Sequence, residues 1–158
     1  MVKIFIVYDT KYGNTKLVAE KIMEGMKEVK GIETVITSAK EADFERMADS
    51  HAILIGAPNH MGRPTRVIRK LIDKLGKLDL KGEWVAVFDT YLGGDFEKAV
   101  KKMEGRIDEK VPNLKIITSG LSIKVGGIKG PIVEKDLPKC KEFGKKIANQ
   151  LRGVKDAK

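Results

Sequence analysis

The stretch Ile4-Phe5-Ile6-Val7-Tyr8-Asp9-Thr10-Lys11-Tyr12-Gly13-Asn14-Thr15 decides the fold, because an apolar run stops abruptly in hydroxyls, an amide and a glycine, and a helical pattern begins at once. Residues 2–8 are dominated by β-branched and aromatic types and are too short for a core helix, so they read as a buried parallel strand. Asp9, Thr10, Gly13 and Asn14 break that strand. From Lys16 onward Val18, Ile22, Met26 and Val29 recur at helical spacing, with Asn14 or Thr15 as the N-cap. The turn therefore sits at the mouth of a helix. Free backbone N–H groups and the positive end of the helix dipole favour an anion there, and Thr10, Asn14 and Thr15 add side-chain donors without any need for Lys or Arg. The plain alternative is a strand-to-helix turn that reverses the chain and binds nothing.

A length of 158 residues at 42% hydrophobic content fits one globular domain, expected over 1–153, with 154–158 as a frayed tail. A strand begins by the third residue, without a charged leader region or an apolar run long enough to span a bilayer, which predicts a soluble cytoplasmic protein with no membrane partner. The single cysteine, Cys140, forms no internal disulfide and lies far in sequence from His51 and His60, so no metal site is expected. Of the net charge of +9, residues 95–158 hold 16 Lys/Arg against 9 Asp/Glu. These charges are spread along helices with interleaved acids, and aromatics do not alternate with them. They read as a solvated face that attracts acidic partners, with no specific nucleic-acid binding expected.

Taken in order, the chain alternates strands and helices with short connections, the pattern of a three-layer doubly wound α/β sheet of five parallel strands. A second strand is expected at 33–37, a short crossover helix at 41–47, and a third strand at 51–56 that ends in Ala57-Pro58-Asn59-His60-Met61-Gly62. Val67, Ile68, Leu71, Ile72 and Leu75 form the face of the next helix. Residues 84–88 make a fourth strand, followed by the loop Asp89-Thr90-Tyr91-Leu92-Gly93-Gly94 and a helix over 96–106. A fifth strand is expected at 115–118, and a closing helix over 134–151 after a Gly-rich segment. Ligands bind such sheets beyond the carboxyl ends of the strands, where the winding reverses. Trp84 falls at the opposite end and reads as structural.

The order Thr10-x-x-Gly13-Asn14-Thr15 directly after a first strand resembles the FMN phosphate loop of flavodoxins. The wording from Tyr8 to Thr15 looks most like the flavodoxin-like domain of flavodiiron proteins. Gly56-Ala57-Pro58-Asn59-His60 resembles the loop after their third strand, and residues 131–148 resemble their closing helix. The resemblance implies strand order 2-1-3-4-5 and FMN as cofactor. It places the phosphate on Thr10, Lys11, Tyr12, Gly13, Asn14 and Thr15, and the ring between Pro58, Asn59, His60, Met61 and Gly62 on one loop and Thr90, Tyr91, Leu92, Gly93 and Gly94 on another. A typical flavodoxin carries threonine where Tyr12 stands, and the related domains carry a tryptophan in the fourth loop where this chain has Tyr91 as the stacking face, with His60 and Met61 as candidates for the other face.

The expected function is that of an FMN-binding carrier moving one electron at a time between redox proteins, with no catalytic residue and as a monomer or weak dimer. The alternative is an FMN-dependent NAD(P)H or quinone oxidoreductase, for which Arg63, Arg66 and Arg69 are candidate phosphate contacts. A receiver domain is excluded by Gly56-Ala57-Pro58 where an acidic residue is required, and neither a P-loop nor Gly-x-Gly-x-x-Gly occurs.

Overall fold

Alternate residues of β1, Val2–Tyr8, feed two different cores: Ile4, Ile6 and Tyr8 point into one, Phe5 and Val7 into the other. A strand buried on both faces has to be central, and the computed structural model, which describes residues 1–157, places it so. β2 (Ile32–Ser38) and β3 (Ala52–Pro58) pair with it on either side, and β4 (Trp84–Tyr91) pairs with β3, all in parallel. The order is β2-β1-β3-β4-β5, as expected, with β5 spanning Lys115–Ile116 and a further strand β6, Leu121–Lys124, also on β4.

The first core lies under α1 (Asn14–Lys27) and α5 (Leu137–Ala157), which contribute Val18, Ile22 and Met26 and Cys140, Ile147 and Leu151. The second lies under α3 (Arg66–Leu75) and α4 (Lys98–Lys110), with Met47 added by α2 (Phe44–Asp49). Each fully buried Ile or Leu is worth about 1.5–3 kcal/mol of burial. The two cores therefore hold the layers without any covalent link. Cys140 is wholly buried, and burial pushes its thiol up to about 12, so it stays protonated and acts as a core side chain.

Helices α1 and α5 touch backbone to backbone. A Cβ on Gly25 would stand 2.0 Å from the Lys141 carbonyl oxygen, and one on Gly144 would stand 2.0 Å from that of Ile22. No rotamer relieves a clash with backbone, so both positions require glycine. The pair fixes the height and tilt of α1, and with them the position of the turn at its N-terminus.

Several elements differ from their expected bounds, two of the strands for local reasons. β4 runs on to Tyr91, because Ala57 and Pro58 of β3 and Leu121–Lys124 of β6 continue its ladder on both sides. The last strand is divided. Val85 pairs with Ile116 and Phe88 with Leu121, so two extra residues bulge out of the edge, and a Cβ on Gly120 there would meet Val100 Cγ1 at 2.3 Å. Helix α4 begins at Lys98 and not 96, and the closing helix α5 begins at Leu137, after a 3-10 turn at Glu134–Asp136, and extends to Ala157, with Lys158 of the expected tail outside the described residues. No helix among the described residues is long and apolar enough to cross a membrane.

Substituting Gly144→Ala is expected to cost about 1–3 kcal/mol by forcing α5 off α1. Gly105→Ala, in α4 with open space around it, is expected to gain about 0.5–1 kcal/mol. Urea unfolding of the two variants checks the pair, and equal stabilities would show that the close contact does not constrain the helices.

Candidate functional site

The turn between β1 and α1 engages only two of its amides with its own side chains. Asp9 donates its N–H to the Gly56 carbonyl at 3.0 Å, and its carboxylate accepts the Thr10 N–H at 3.0 Å and the Thr65 hydroxyl at 2.6 Å. The Thr10 hydroxyl accepts the Gly13 N–H at 3.0 Å, which leaves its proton available. The N-cap of α1 is Gly13, in the left-handed region at φ 89°, and neither Asn14 nor Thr15, which are its first two helical residues. The reason is that both side chains are committed elsewhere. Asn14 donates its side-chain amide to the Lys129 carbonyl at 3.2 Å, and the Thr15 hydroxyl, 1% exposed, pairs with that of Thr90 at 2.9 Å. Among the described residues, the amides of Lys11, Tyr12, Asn14, Thr15 and Lys16 have no acceptor. A helix start with no side-chain cap and five free donors has the chemistry to hold an anion.

Two further loops rise beside this turn. After β3, His60 and Arg63 exchange backbone hydrogen bonds of 2.7 and 3.1 Å around Met61 and Gly62, whose φ values of 57° and 81° describe a tight hairpin turn with both central residues left-handed. Asn59 holds this hairpin: its Oδ1 accepts the Gly62 N–H at 2.7 Å, its Nδ2 donates to the Asp95 carbonyl at 3.1 Å, and its own N–H donates to Thr90 at 2.8 Å. Tyr91, at the end of β4, lies edge-on to Phe96 with ring centroids 5.5 Å apart, and burial raises its hydroxyl pKa, keeping it neutral. Residues 125–131 complete the wall, tied through the Val125 N–H to the Tyr91 carbonyl at 2.8 Å and through Lys129 to Asn14.

Between the loops lies a cleft of about 430 Å³, while two other depressions of about 100 and 110 Å³ lie toward the opposite edge of the sheet. Thr10, Lys11, Tyr12, Asn14 and Thr15 line it from the first turn, Pro58, Asn59 and His60 from the second loop, and Thr90, Tyr91 and Leu92 from the third. Gly13, Met61, Gly62, Gly93 and Gly94 shape the same turns without forming its walls, and Met61 is 83% exposed. Asp9, Lys40, Thr65, Val67, Val125 and Ile128 also line the cleft and were not foreseen. Asp9 and Val125 carried a sequence signal, one beside the phosphate-loop pattern and one opening a Gly-rich segment. Lys40 and Ile128 carried none. The exposed large hydrophobic residues among the described ones are, apart from Met1, all in these loops: Tyr12, Met61, Leu92, Phe96 and Ile128.

Beneath the third loop Asp89 is fully buried. Its carboxylate accepts the Val100 N–H at 3.0 Å, in the first turn of α4, and the hydroxyl of Ser122, which in turn accepts the Glu97 N–H at 3.0 Å. A strand residue thus caps a helix whose own N-cap, Glu97, makes no side-chain cap. Burial, opposed by the Ser122 and Val100 hydrogen bonds, pushes the Asp89 carboxyl from 3.8 up to about 6.

A family model described as "Flavodoxin domain" matches residues 5–121. The chain is 25% identical over 160 residues to a flavodoxin of Clostridium saccharobutylicum, covering 96% of this chain and 99% of that one. It is 34% identical over 84 residues to a flavodoxin of Aquifex aeolicus, spanning 52% of this chain but 44% of that relative's length. Among solved structures, a flavodoxin from the domain Archaea superposes with a TM-score of 0.82 at 25% identity, covering 96% and 99% of the two chains. The flavodiiron core of Flv1 from Synechocystis superposes at 0.77 with 18% identity, and there the chain covers 36% of the larger protein.

The folded state holds the Asp89 proton more tightly than the unfolded chain does. The resulting stability is complete below about pH 3.8 and is lost as pH rises through about 6, a change on the order of 3 kcal/mol. Asp89→Asn keeps the shape, accepts from Val100 and donates to Ser122. The stability of the parent relative to this variant is therefore expected to fall by about 2–3 kcal/mol between pH 4 and 7.5 in urea titrations. Parallel pH profiles would contradict the assignment.

Proposed function

The chain belongs to the flavodoxin family, and on that premise we propose that it is a cytoplasmic carrier that holds one FMN in this cleft and passes electrons singly between redox proteins. The observation that supports it most is the set of five acceptorless amides at the mouth of α1. They would hold the phosphate together with the Thr10 hydroxyl and the one proton that the Thr15–Thr90 pair leaves free. FMN supplies the redox chemistry through its ring. The cleft volume of about 430 Å³ lies within the ordinary range of small-molecule sites. His60 and Tyr91 would flank the ring, and Leu92, Val125 and Ile128 would keep water from it.

The residues' work is binding, orientation and exclusion of water, and nothing in the cleft needs to act as a proton donor or base. Arg63, Arg66 and Arg69, the candidates for a second cofactor's phosphate, do not line the cleft, which favours the carrier over an NAD(P)H or quinone oxidoreductase. The exposed apolar residues around the rim suit brief docking, and the net charge of +9 favours partners with acidic docking faces, met by a monomer. A single buried cysteine without a disulfide suits a reducing compartment.

Binding of FMN and of riboflavin, which lacks the phosphate, tests the reading by flavin fluorescence. FMN is expected to bind far more tightly. Replacing Thr10 and Thr15 together by Val, which keeps the buried shape at 15, should weaken FMN about 100-fold and leave riboflavin unchanged. Equal affinity for the two flavins would refute the phosphate loop.

A further inference from the structure

We infer that Lys11 and Lys40 bias this site toward the reduced form of its cofactor, an inference that rests on the FMN reading above. The charged groups lining the cleft are Lys11, Lys40 and Asp9. Asp9 has one carboxylate oxygen on the Thr10 N–H and the other on the Thr65 hydroxyl, so it is fixed at the base of the cleft and its charge is shared with those donors. The two lysines come from separate elements, one from the turn after β1 and one from a 3-10 turn, Ala39–Glu41, after β2. Both are exposed, and neither forms an ion pair among the described residues. Lys11 Nζ stands 5.4 Å from the centroid of the Tyr12 ring, which keeps it at the cleft mouth.

Two acids act on Tyr91 in the cleft wall: Asp136, which is paired with Lys139 at 3.0 Å, and Asp89, buried beneath the third loop, whose charge is the same in the parent and in lysine variants and so drops out of their comparison. Asp95 is paired with Lys98 at 3.1 Å, and Glu41 and Glu97 do not line the cleft.

Two-electron reduction by a redox protein or by dithionite adds two electrons and one proton to the ring. At neutral pH the ring then carries one negative charge, while the phosphate is unchanged. A cation near the ring therefore separates the two states, whereas its effect on the phosphate cancels between them. At about 10 Å in largely aqueous surroundings, one lysine favours the reduced state about two- to threefold. Because both lysines are exposed, salt screens this preference.

The affinities of the protein for oxidised and for fully reduced FMN, obtained from fluorescence titration and from the midpoint potential of the bound flavin, give the ratio that reads this directly. Lys11→Gln and Lys40→Gln are each expected to lower the preference for reduced FMN about two- to threefold, and the double variant about four- to ninefold, at low salt. The difference should shrink at high salt, and Lys77→Gln, on the exposed turn after α3, should leave the ratio unchanged. Normal FMN binding with an unchanged ratio in the double variant would overturn this inference alone. Failure of the parent protein to hold FMN would overturn the functional reading and this inference with it.

Discussion

The free amides at the mouth of α1 are the constraint on which the rest of the cleft depends. A helix start normally recruits a side chain for its first N–H groups, and here the residues placed to do so, Asn14 and Thr15, turn away to Lys129 and Thr90. That arrangement costs stability in the empty protein and is recovered when an anion binds. It persists because α1 cannot move. Gly25 and Gly144 bring it into backbone contact with α5, and Val18, Ile22 and Met26 bury its inner face.

The loops around the turn are joined by a small number of polar ties, each between different elements. Asp9 to Thr65 links the first turn to α3, Thr15 to Thr90 links α1 to β4, and Asn59 spans the loops after β3 and β4. Asp89 braces the third loop from below by capping α4. Such ties set the cleft before any ligand arrives, so binding energy is not spent on ordering loops. The apolar residues left exposed on the rim are those that a flat cofactor and a docking protein would cover.

Much of this was legible in the residue order. The break from Tyr8 to Asp9 marked the end of the central strand, alternation of Ile4 and Ile6 with Phe5 and Val7 marked burial on both faces, and Thr10 to Thr15 marked the turn into α1. What escaped depends on contacts across long separations. Asn14 and Thr15 are good caps by type, and only their partners 115 and 75 residues away show why they do not cap. The extension of β4 through the polar Asp89 and Thr90 depends on β6, whose own start is hidden behind the Ser119-Gly120 bulge. Ile128 reaches the cleft because residues 125–131 fold back onto Asn14, which no periodicity encodes.

The central claim is that the phosphate of FMN replaces the missing cap. Backbone amide chemical shifts, recorded while FMN is added to the isotopically labelled protein, test it most directly. The amides of Lys11, Tyr12, Asn14, Thr15 and Lys16 are predicted to move downfield together as they gain charged acceptors, and riboflavin should leave them in place. Downfield shifts at another helix start, or none at these five residues while FMN binds, would contradict the account.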